Sequence, residues 1–268
     1  MMSDALAAFR LDGRTAVVTG AASGIGQATA QVFAAAGASV VCGDIDDAGA
    51  EKTAVSIVAD GGRAIAQRCD VTSKEEMDAL VKRATDEYGR LDVMANIAGA
   101  MFPGLIEDLD EGAIDRGIAL NVKSVIWGCQ AAVRSMKETG GGVILNISSG
   151  AIDAPYPAIG LYALTKAAVA MLGRTLAIEA GKYGIRVNTL APGATLTNFT
   201  TWRLKNADGT LNQEAYDTFV AQMREQSPIK VLGEAIDQAY LMLYLASDAG
   251  RYATGNTFRS NGGLTTPF

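Results

Sequence analysis

The sequence predicts an α/β fold: a doubly wound, mostly parallel seven-stranded sheet flanked by helices, in three α/β/α layers. Short apolar runs alternate with longer segments of helical period, and most runs are apolar on both faces, which is typical of parallel strands covered on both sides. Strand–helix alternation of this kind builds a parallel sheet with right-handed crossovers. The predicted strands are 15–19, 39–43, 64–69, 91–95, 142–148, 185–191 and 255–260, and the predicted helices are 24–36, 46–60, 73–88, 111–138, 162–182 and 234–246.

The 268 residues are predicted to form a single domain, 1–268. No Pro/Ser-rich linker, repeat or low-complexity tract divides them. One segment interrupts the alternation, because 194–232 is polar and irregular with scattered aromatic residues. A long excursion after a strand is more often a binding segment than a linker. We therefore expect a substrate-binding flap at about 194–232.

The composition excludes several classes of function. The chain has 49% hydrophobic residues and a net charge of −6, so a sizeable core is expected and nucleic acid is not an expected partner. It contains no histidine, which excludes Ser-His-Asp hydrolysis, Cys-His proteolysis and histidine-ligated zinc or haem.

The three cysteines are far apart and predicted to be core residues in a reducing cytosol, and no metal site is expected. Without a signal peptide or an apolar run of ~18–20 residues, we expect a soluble cytoplasmic protein with no membrane partner.

A glycine-rich turn follows the first predicted strand. In TGAASGIG (19–26), Gly20, Gly24 and Gly26 are spaced GxxxGxG. Glycines allow a tight turn and close approach of the backbone to a pyrophosphate, and the following helix offers free N–H groups and its positive dipole end. No GK[ST] follows, so a phosphate-transfer loop is excluded. The alternative is a plain glycine-rich β–α turn.

Asp44 ends the second predicted strand, 18 residues after Gly26. A carboxylate at this place can accept hydrogen bonds from both ribose hydroxyls of an adenosine and would repel a 2′-phosphate. Ile45, Asp46 and Asp47 follow, so no arginine stands next to it in sequence. The alternative is a solvated turn aspartate.

Tyr162 and Lys166 are four residues apart on a predicted helix and therefore share one face. A lone YxxxK is weak evidence, but Ser149 lies 13 residues before Tyr162, at the end of the apolar run GVILNIS. An ammonium ~5 Å from the phenol at an effective dielectric constant of about 20 favours the phenolate and is expected to lower the pKa of Tyr162 by about 2.4. Such a tyrosine can act as a general base without histidine.

Taken together, these motifs resemble the short-chain dehydrogenase/reductase family, and the resemblance covers nearly the whole chain. TGAASGIG resembles the family's cofactor loop, and further matches are CDV (69–71), NIAG (96–99), Asn121 in LNVKS, Ser149 in NISS, Tyr162 and Lys166, Pro192-Gly193 and SNGG (260–263). The departures are Ile97 for a second Asn, Asn261 for an Asp and Asn198 where Pro often stands. None of them removes a catalytic group.

The resemblance implies a Rossmann fold and a set of site residues. The catalytic residues would be Asn121, Ser149, Tyr162 and Lys166: the phenol as general base, the Ser149 hydroxyl on the substrate oxygen, Lys166 also on the nicotinamide ribose, and Asn121 anchoring a water that exchanges protons with Lys166. Ser148 could replace Ser149, and Asn121 could only brace a helix. The cofactor-binding residues would be Gly20, Ser23, Gly24, Ile25, Gly26, Asp44, Asp70, Val71, Asn96, Ala98, Gly99, Tyr162, Lys166, Pro192, Gly193, Thr195 and Thr197.

The implied function is an NAD-dependent oxidoreductase that transfers hydride between a secondary alcohol or ketone and nicotinamide, with NAD(H) preferred to NADP. The alternatives are an NAD(P)H-dependent ketone or 3-oxoacyl reductase and, from another class, a non-catalytic dinucleotide-binding scaffold. Expected pocket residues are Met101, Phe102, Ile152 to Tyr156, Phe199, Trp202 and Met223, with Arg203 as the obvious cation. This mostly apolar set favours a hydrophobic or alicyclic substrate, unless several of its members only pack the flap. The resemblance also implies a homotetramer, paired through helices 111–138 and 162–182.

Overall fold

The computed structural model describes residues 6–201, 204, 206 and 208–265. In this part of the chain, seven strands form one fully parallel sheet in the order β3-β2-β1-β4-β5-β6-β9. The predicted fold class is thereby confirmed, and every predicted strand is present. The sheet strands are β1 (Thr15–Thr19), β2 (Ser39–Asp44), β3 (Arg63–Arg68), β4 (Val93–Asn96), β5 (Gly142–Ile147), β6 (Ile185–Leu190) and β9 (Thr257–Phe258); a separate parallel pair is formed by β7 (Thr195–Leu196) and β8 (Gly233–Glu234).

The helices cover both faces of the sheet. They are α1 (Gly24–Ala35), α2 (Asp47–Ala59), α3 (Lys74–Tyr88), α4 (Glu111–Ile118), α5 (Ser124–Thr139), α6 (Gly160–Ala180), α7 (Asn198–Thr201), α8 (Gln213–Gln226) and α9 (Ala235–Ala246). The continuous helix predicted over 111–138 is wrong in one respect. A π-helical turn, Ala119–Lys123, separates α4 from α5.

Two apolar cores lie on opposite faces of the sheet, because side chains alternate along each strand. Val18 packs with Phe33 of α1 and Met242 of α9 on one face. Its neighbour Val17 packs on the other face in the cluster that contains Leu80 of α3. Burial on both faces explains why the strand runs read as continuously apolar.

The strand order reverses between β1 and β4, because the chain first builds outward to β3 and then returns to add β4. In open parallel sheets, ligands bind in the crevice at the carboxyl ends of the strands at such a point. The turns after β1, β2 and β4 therefore meet at one edge of the sheet.

The segment 194–232 is more regular than its sequence suggests. It contains β7, α7 and the fourteen-residue α8, whose first turn is capped by Asn212, since the Asn212 side chain accepts a hydrogen bond from the N–H of Ala215 (3.0 Å). None of the α8 residues is buried, although Tyr216, Phe219, Val220 and Met223 recur at the i, i+3, i+4, i+7 spacing of a helix face. The expectation of an irregular segment is wrong for α8. Trp202 and Arg203 lie outside the described residues.

One helical stretch of the described chain, Gly160–Tyr183, is long and apolar enough to cross a membrane by length and composition. Forty-four per cent of its apolar window is buried inside the protein. It comprises α6 and the short turn after it, and buried Val169 belongs to the core that covers one face of the sheet. This packing accounts for the apolar residues on its buried face.

Candidate active site

A cavity of about 1060 Å³ lies at the carboxyl ends of the strands. Turns after β1 to β6 form one half, and the chain after β4, the loop before α6 and the flap form the other. Among the predicted site residues, only Asn96 and Asn121 do not line it. The lining members are Gly20, Ser23, Gly24, Ile25, Gly26, Asp44, Asp70, Val71, Ala98, Gly99, Ser149, Tyr162, Lys166, Pro192, Gly193, Thr195 and Thr197.

The glycine loop, 19–26, is folded so tightly that Gly20, Gly24 and Gly26 leave little room for a side chain. A Cβ on Gly26 would lie 2.0 Å from the carbonyl oxygen of Gly20. Gly20 itself has a φ of +71° and would bring a Cβ within 3.1 Å of the Ala98 backbone. Gly24 has a φ of +56° and faces Thr197, whose Cγ2 would be 3.2 Å from an added Cβ. The glycines therefore keep open a cradle between the turn after β1 and the flap.

Helix α1 begins at this loop without a side-chain cap. Ser23 is extended (φ −160°, ψ 170°), and its hydroxyl makes no capping hydrogen bond. The first-turn N–H groups of a helix have no partner within the helix and carry its positive dipole end. Gly24 and Ile25 of that turn line the cavity, so the residues fit the pyrophosphate of a dinucleotide.

Asp44 lies at the rim of this cradle. Its Oδ2 accepts a hydrogen bond from the N–H of Ala22 and its Oδ1 accepts one from the N–H of Asp46, both at 2.9 Å. These bonds fix the carboxylate, and its remaining lone pairs are available to other donors. Sequence reasoning missed Arg68, which is paired in register with Asp44 on β3. The Arg68 guanidinium is bound to Glu76 at 3.0 Å and does not line the cavity.

Asp70 and Val71 form the next wall. The N–H and hydroxyl of Thr72 both donate to Asp70 Oδ1, at 2.9 and 2.7 Å. These hydrogen bonds lower the pKa of the Asp70 carboxyl. Val71 is buried, so this wall offers one fixed carboxylate and one apolar side chain.

The turn after β6 joins the turn that begins at Ser149 to the C-terminal segment around Ser260. Pro192 O accepts from the N–H of Gly150 (2.8 Å), and Gly193 N–H donates to Ser260 O (3.2 Å). The Thr195 hydroxyl donates to Gly193 O at 3.1 Å. These bonds hold the backbone of all three loops at the cavity.

Asn96 is not at the cavity. It is buried, and its Nδ2 donates to Oδ1 of Asn146, its register partner on β5, at 2.9 Å. The side chain of Asn96 therefore links two strands beneath the turn Ala98-Gly99. A role in cofactor binding through that turn stays a prediction.

Asn121 is buried in the π-helical turn. Its Oδ1 accepts from the N–H of Ala100 (3.0 Å), and its Nδ2 donates to Ala100 O (2.8 Å) and to the Thr165 hydroxyl (3.2 Å). The side chain thus ties the turn to the chain after β4 and to α6. Bracing is the role that these bonds perform, and the proton relay through Asn121 stays a prediction.

Tyr162, Lys166 and Ser149 meet at the centre of the cavity wall. Tyr162 and Lys166 are one turn apart on α6, and the Lys166 ammonium lies 5.7 Å from the centroid of the Tyr162 ring. Lys166 Nζ donates to Ile147 O at 3.0 Å. Ser149 begins the turn after β5 and accepts from the N–H of Ala151 at 3.2 Å. A turn after β5 and one face of α6 are therefore brought together at the cavity.

Burial is the largest cause of the pKa shifts of Tyr162 and Lys166. It raises the pKa of Tyr162 to about 12, with a hydrogen bond from Ser149 opposing the rise. It also lowers the pKa of Lys166 to about 8. The expectation that Lys166 lowers the pKa of the phenol overall is wrong for the chain alone, because desolvation of the buried phenolate is the largest effect and the opposing effect comes from the Ser149 hydrogen bond.

Ser148 is engaged elsewhere. It is buried, and its hydroxyl donates to the carbonyl of Lys166 at 2.7 Å. Both serines line the cavity, but Ser149 is half-buried and its hydroxyl is not used by the Lys166 carbonyl. This arrangement favours Ser149 over Ser148 as the substrate-facing hydroxyl.

The half of the cavity formed by the chain after β4, the loop before α6 and the flap is mostly apolar. Met101, Phe102, Tyr156, Phe199 and Met223 line it as predicted. The ring centroid of Phe199 lies 5.8 Å from that of Tyr162, so the flap packs beside Tyr162. The expectation for positions 152–155 is wrong, because only the last residue of that predicted stretch lines the cavity. Lining residues that sequence reasoning missed include Arg116, Ile159, Gln226 and Leu264, which no motif marks.

Comparison with known proteins gives consistent matches over nearly the full length. A family model described as enoyl-(acyl carrier protein) reductase matches residues 20–265. A 7α-hydroxysteroid dehydrogenase of Escherichia coli K12 is 37% identical over 255 residues, which cover 95% of each chain. A 2,5-dichloro-2,5-cyclohexadiene-1,4-diol dehydrogenase of Sphingobium indicum is 34% identical over 258 residues, covering 96% of this chain and 98% of the other.

Solved structures agree with these matches. A 7α-hydroxysteroid dehydrogenase complexed with NADH and 7-oxo glycochenodeoxycholic acid superposes with a TM-score of 0.87, at 36% identity and 96% coverage of both chains. A short-chain type dehydrogenase/reductase from Mycobacterium marinum gives a TM-score of 0.88 at 31% identity, with 98% of this chain and 100% of that chain covered.

Proposed function

The chain belongs to the short-chain dehydrogenase/reductase family, and we propose that it transfers hydride between NAD and a hydrophobic or alicyclic secondary alcohol or its ketone. At the level of the family, it is an NAD(P)-dependent oxidoreductase acting on CH–OH groups. The observation that carries the finer proposal is the position of Tyr162, Lys166 and Ser149 between a glycine cradle and an apolar wall.

The chemistry divides between cofactor and protein. The bound dinucleotide supplies or accepts the hydride. Tyr162 holds the proton that is exchanged with the substrate oxygen, and with a pKa raised to about 12 the phenol is protonated at neutral pH and ready to protonate a ketone. Ser149 holds that oxygen beside the phenol. Oxidation of the alcohol requires the phenol to lose its proton, so Lys166 must carry its charge there to stabilise the phenolate.

The proposed preference for NAD rests on Asp44. Its carboxylate is fixed at the cavity by two backbone N–H groups, and a 2′-phosphate beside it would meet like charge. The nearest register arginine, Arg68, is held by Glu76. Asp44 also weighs against a 3-oxoacyl reductase that uses NADPH.

The proposed substrate class rests on the wall and on the relatives. Phe102, Phe199 and Met223 present apolar surface to the cavity, and the named relatives act on a hydroxysteroid and on a cyclohexadiene diol. A rigid alicyclic alcohol fits such a wall better than a sugar phosphate, because the described substrate half has few polar partners.

The decisive experiment follows the absorbance of NADH with a panel of secondary alcohols and ketones. We expect turnover with steroidal and other alicyclic alcohols, weak turnover with short acyclic alcohols, and none with sugar phosphates. Binding of NADH without turnover of any member would favour the non-catalytic scaffold. Faster turnover of 3-oxoacyl thioesters with NADPH would favour the reductase.

We further propose a homotetramer in the cytoplasm. On α6, Leu164, Met171 and Ile178 recur every seventh residue and are 58%, 58% and 85% exposed. A stripe of exposed apolar side chains on one helix face is typical of a helix–helix interface. The free, buried thiols, such as Cys129, fit a reducing compartment.

Light scattering tests the assembly. We expect the mass of four chains for the wild type and a smaller assembly for Ile178→Glu, whose charge would be buried at the interface. Val58→Glu changes an exposed apolar residue on α2 and should leave the mass unchanged. A wild-type monomer at micromolar concentration would contradict the tetramer.

A further inference from the structure

A partly buried ion pair lies beside the turn 149–153, outside the cavity. Arg259 follows β9 and binds Asp153 through two parallel bonds, Nε to Oδ2 at 2.6 Å and Nη2 to Oδ1 at 2.8 Å. The two residues are 106 positions apart in sequence. Their side chains are 23% and 5% exposed, which makes Asp153 the most buried acid among the ion pairs of the described residues.

The guanidinium is fixed from its own side as well. Arg259 Nη1 donates to Thr257 O of β9 at 3.0 Å, so the arginine is anchored on the edge strand of the sheet. The hydrogen bond and charge of Asp153 raise the pKa of Arg259. Removing one member of such a pair leaves a buried charge without a partner, which is strongly unfavourable. The position of Asp153 therefore depends on Arg259.

Asp153 ends the turn that begins at Ser149. Its N–H donates to Gly150 O at 3.0 Å, and the Ser149 side chain caps the same turn through the N–H of Ala151 at 3.2 Å. Ser149 and Asp153 are thus the two ends of a single short helical turn, and a displacement of Asp153 is transmitted to the Ser149 hydroxyl.

The loop that begins at Ser149 is also held in place near Ala158, at its C-terminal end. Ala158 has a φ of +63°, an unfavourable conformation for a residue with a Cβ, and its carbonyl accepts from the N–H of Gly104 at 2.9 Å. Strained backbone of this kind persists only where the surroundings determine it, and it concentrates at functional sites. Between the two holding points lies Tyr156, which lines the cavity.

We propose that Arg259 is a positioning residue for the reaction: through its bidentate pair with Asp153 it fixes the Ser149 hydroxyl and the Tyr156 wall relative to Tyr162. The proposal rests on the proposed function, since it assigns Ser149 and Tyr162 their roles in that reaction. An arginine is suited to this task, because its planar fork determines the orientation of a carboxylate as well as its distance.

The first test is Arg259→Met, measured as kcat, KM and the Kd of NADH. We expect kcat to fall about tenfold to a hundredfold, because a misplacement of ~1 Å at a reacting group is worth up to about a hundredfold. The Kd of NADH should stay within about twofold, since the glycine cradle is untouched. Arg259→Lys, which keeps the charge but loses the fork, should recover part of kcat.

The double variant Arg259→Met/Asp153→Leu separates positioning from stability. It removes both charges, so thermal stability should return towards the wild-type value while kcat stays low. Recovery of both stability and kcat in the double variant would overturn the proposal. A kcat for Arg259→Met within about twofold of wild type would overturn it as well.

A matched control lies at the opposite end of the sheet. Arg90 binds Asp92 through Nε at 2.8 and 2.9 Å, just before β4, and the Asp92 side chain is 11% exposed. Arg90→Met should destabilise the fold to a similar extent and leave kcat unchanged. An equal loss of kcat in this control would show that the effect of Arg259 is only global destabilisation.

Hydrogen–deuterium exchange makes the proposal testable apart from turnover. Arg259→Met should accelerate exchange in the segment 149–159 and leave the glycine loop 19–26 as protected as in the wild type. An equal change in exchange rate in both segments would overturn the proposed link between Arg259 and the loop 149–159. If the wild type shows no turnover with any alcohol while exchange changes as expected, the proposed function fails and the link stands.

Discussion

The two halves of the cavity are built in different ways. The half that we propose for the cofactor, called the cofactor half, consists of backbone turns at strand ends, where Gly26 leaves no room for a Cβ next to Gly20 O; the other half is the proposed substrate half. The substrate half consists of side chains such as Phe199 and Met223, which reach the cavity from α7 and α8. Backbone geometry restricts which residues can be present, whereas an apolar wall accepts many residues of suitable size. The first half therefore carries a readable motif and the second does not.

Tyr162 lies where the two halves of the cavity meet. Of the proposed substitutions, Tyr162→Phe should have the largest effect on kcat. The substitution removes the oxygen that carries the proton and keeps the ring beside Phe199. We expect kcat to fall about a thousandfold. The Kd of NADH, measured by fluorescence titration, should be nearly normal. A variant that keeps more than about a tenth of wild-type kcat would show that another group moves the proton.

Lys166, which lies where the two halves of the cavity meet, tests how burial of a charged group affects the stability of the protein. Because burial lowers its pKa from 10.5 to about 8, the unfolded state binds more protons between these two pH values, and stability rises with pH in that window. The free energy of unfolding of the wild type should gain up to about 3 kcal/mol relative to Lys166→Met between pH 8 and 10.5. Urea denaturation of both proteins across this range measures the difference. Parallel curves would contradict the lowered pKa.

Asp44 tests the cofactor half alone. The wild type should prefer NAD to NADP by at least about a hundredfold in kcat/KM, equivalent to about 2.7 kcal/mol of repulsion and lost hydrogen bonds. Asp44→Ala should reduce this preference, chiefly by lowering kcat/KM with NAD. Asp47→Ala, an exposed carboxylate in the first turn of α2, is the control and should leave the preference intact. Nearly equal use of both cofactors by the wild type would show that Asp44 does not discriminate.

Met223 tests the substrate half alone, and its effect should be the smallest. Met223→Ala removes apolar surface from the wall and should raise the KM of an alicyclic alcohol about threefold to tenfold, while the Kd of NADH is unchanged. Val220→Ala, on the same helix but not lining the cavity, should change neither value. A larger effect on NADH than on the alcohol would mean that α8 belongs to the cofactor half.

Sequence patterns predicted the sheet because buried parallel strands have a restricted composition. β1 was predicted with its observed bounds, and α1, α2, α3 and α9 within a residue or two. The α8 helix was missed although Tyr216, Phe219, Val220 and Met223 recur at helical spacing, because the polar composition of 194–232 as a whole masked that short period. The π-helical turn that holds Asn121 escaped as well, since a one-residue widening within a helical segment does not alter composition.

The sequence by itself determined the class of fold and identified the glycine turn, Asp44 and the Tyr162–Lys166 pair as candidates, because each depends on backbone geometry or on spacing within one element. Ser149, in a different element, was implied by the resemblance to the family. Only the tertiary structure decided the rest. It turned Asp153 away from the cavity towards Arg259 and raised the pKa of Tyr162 where spacing alone predicted a fall. Burial and pairing between distant segments depend on where the chain returns, and no local pattern records that.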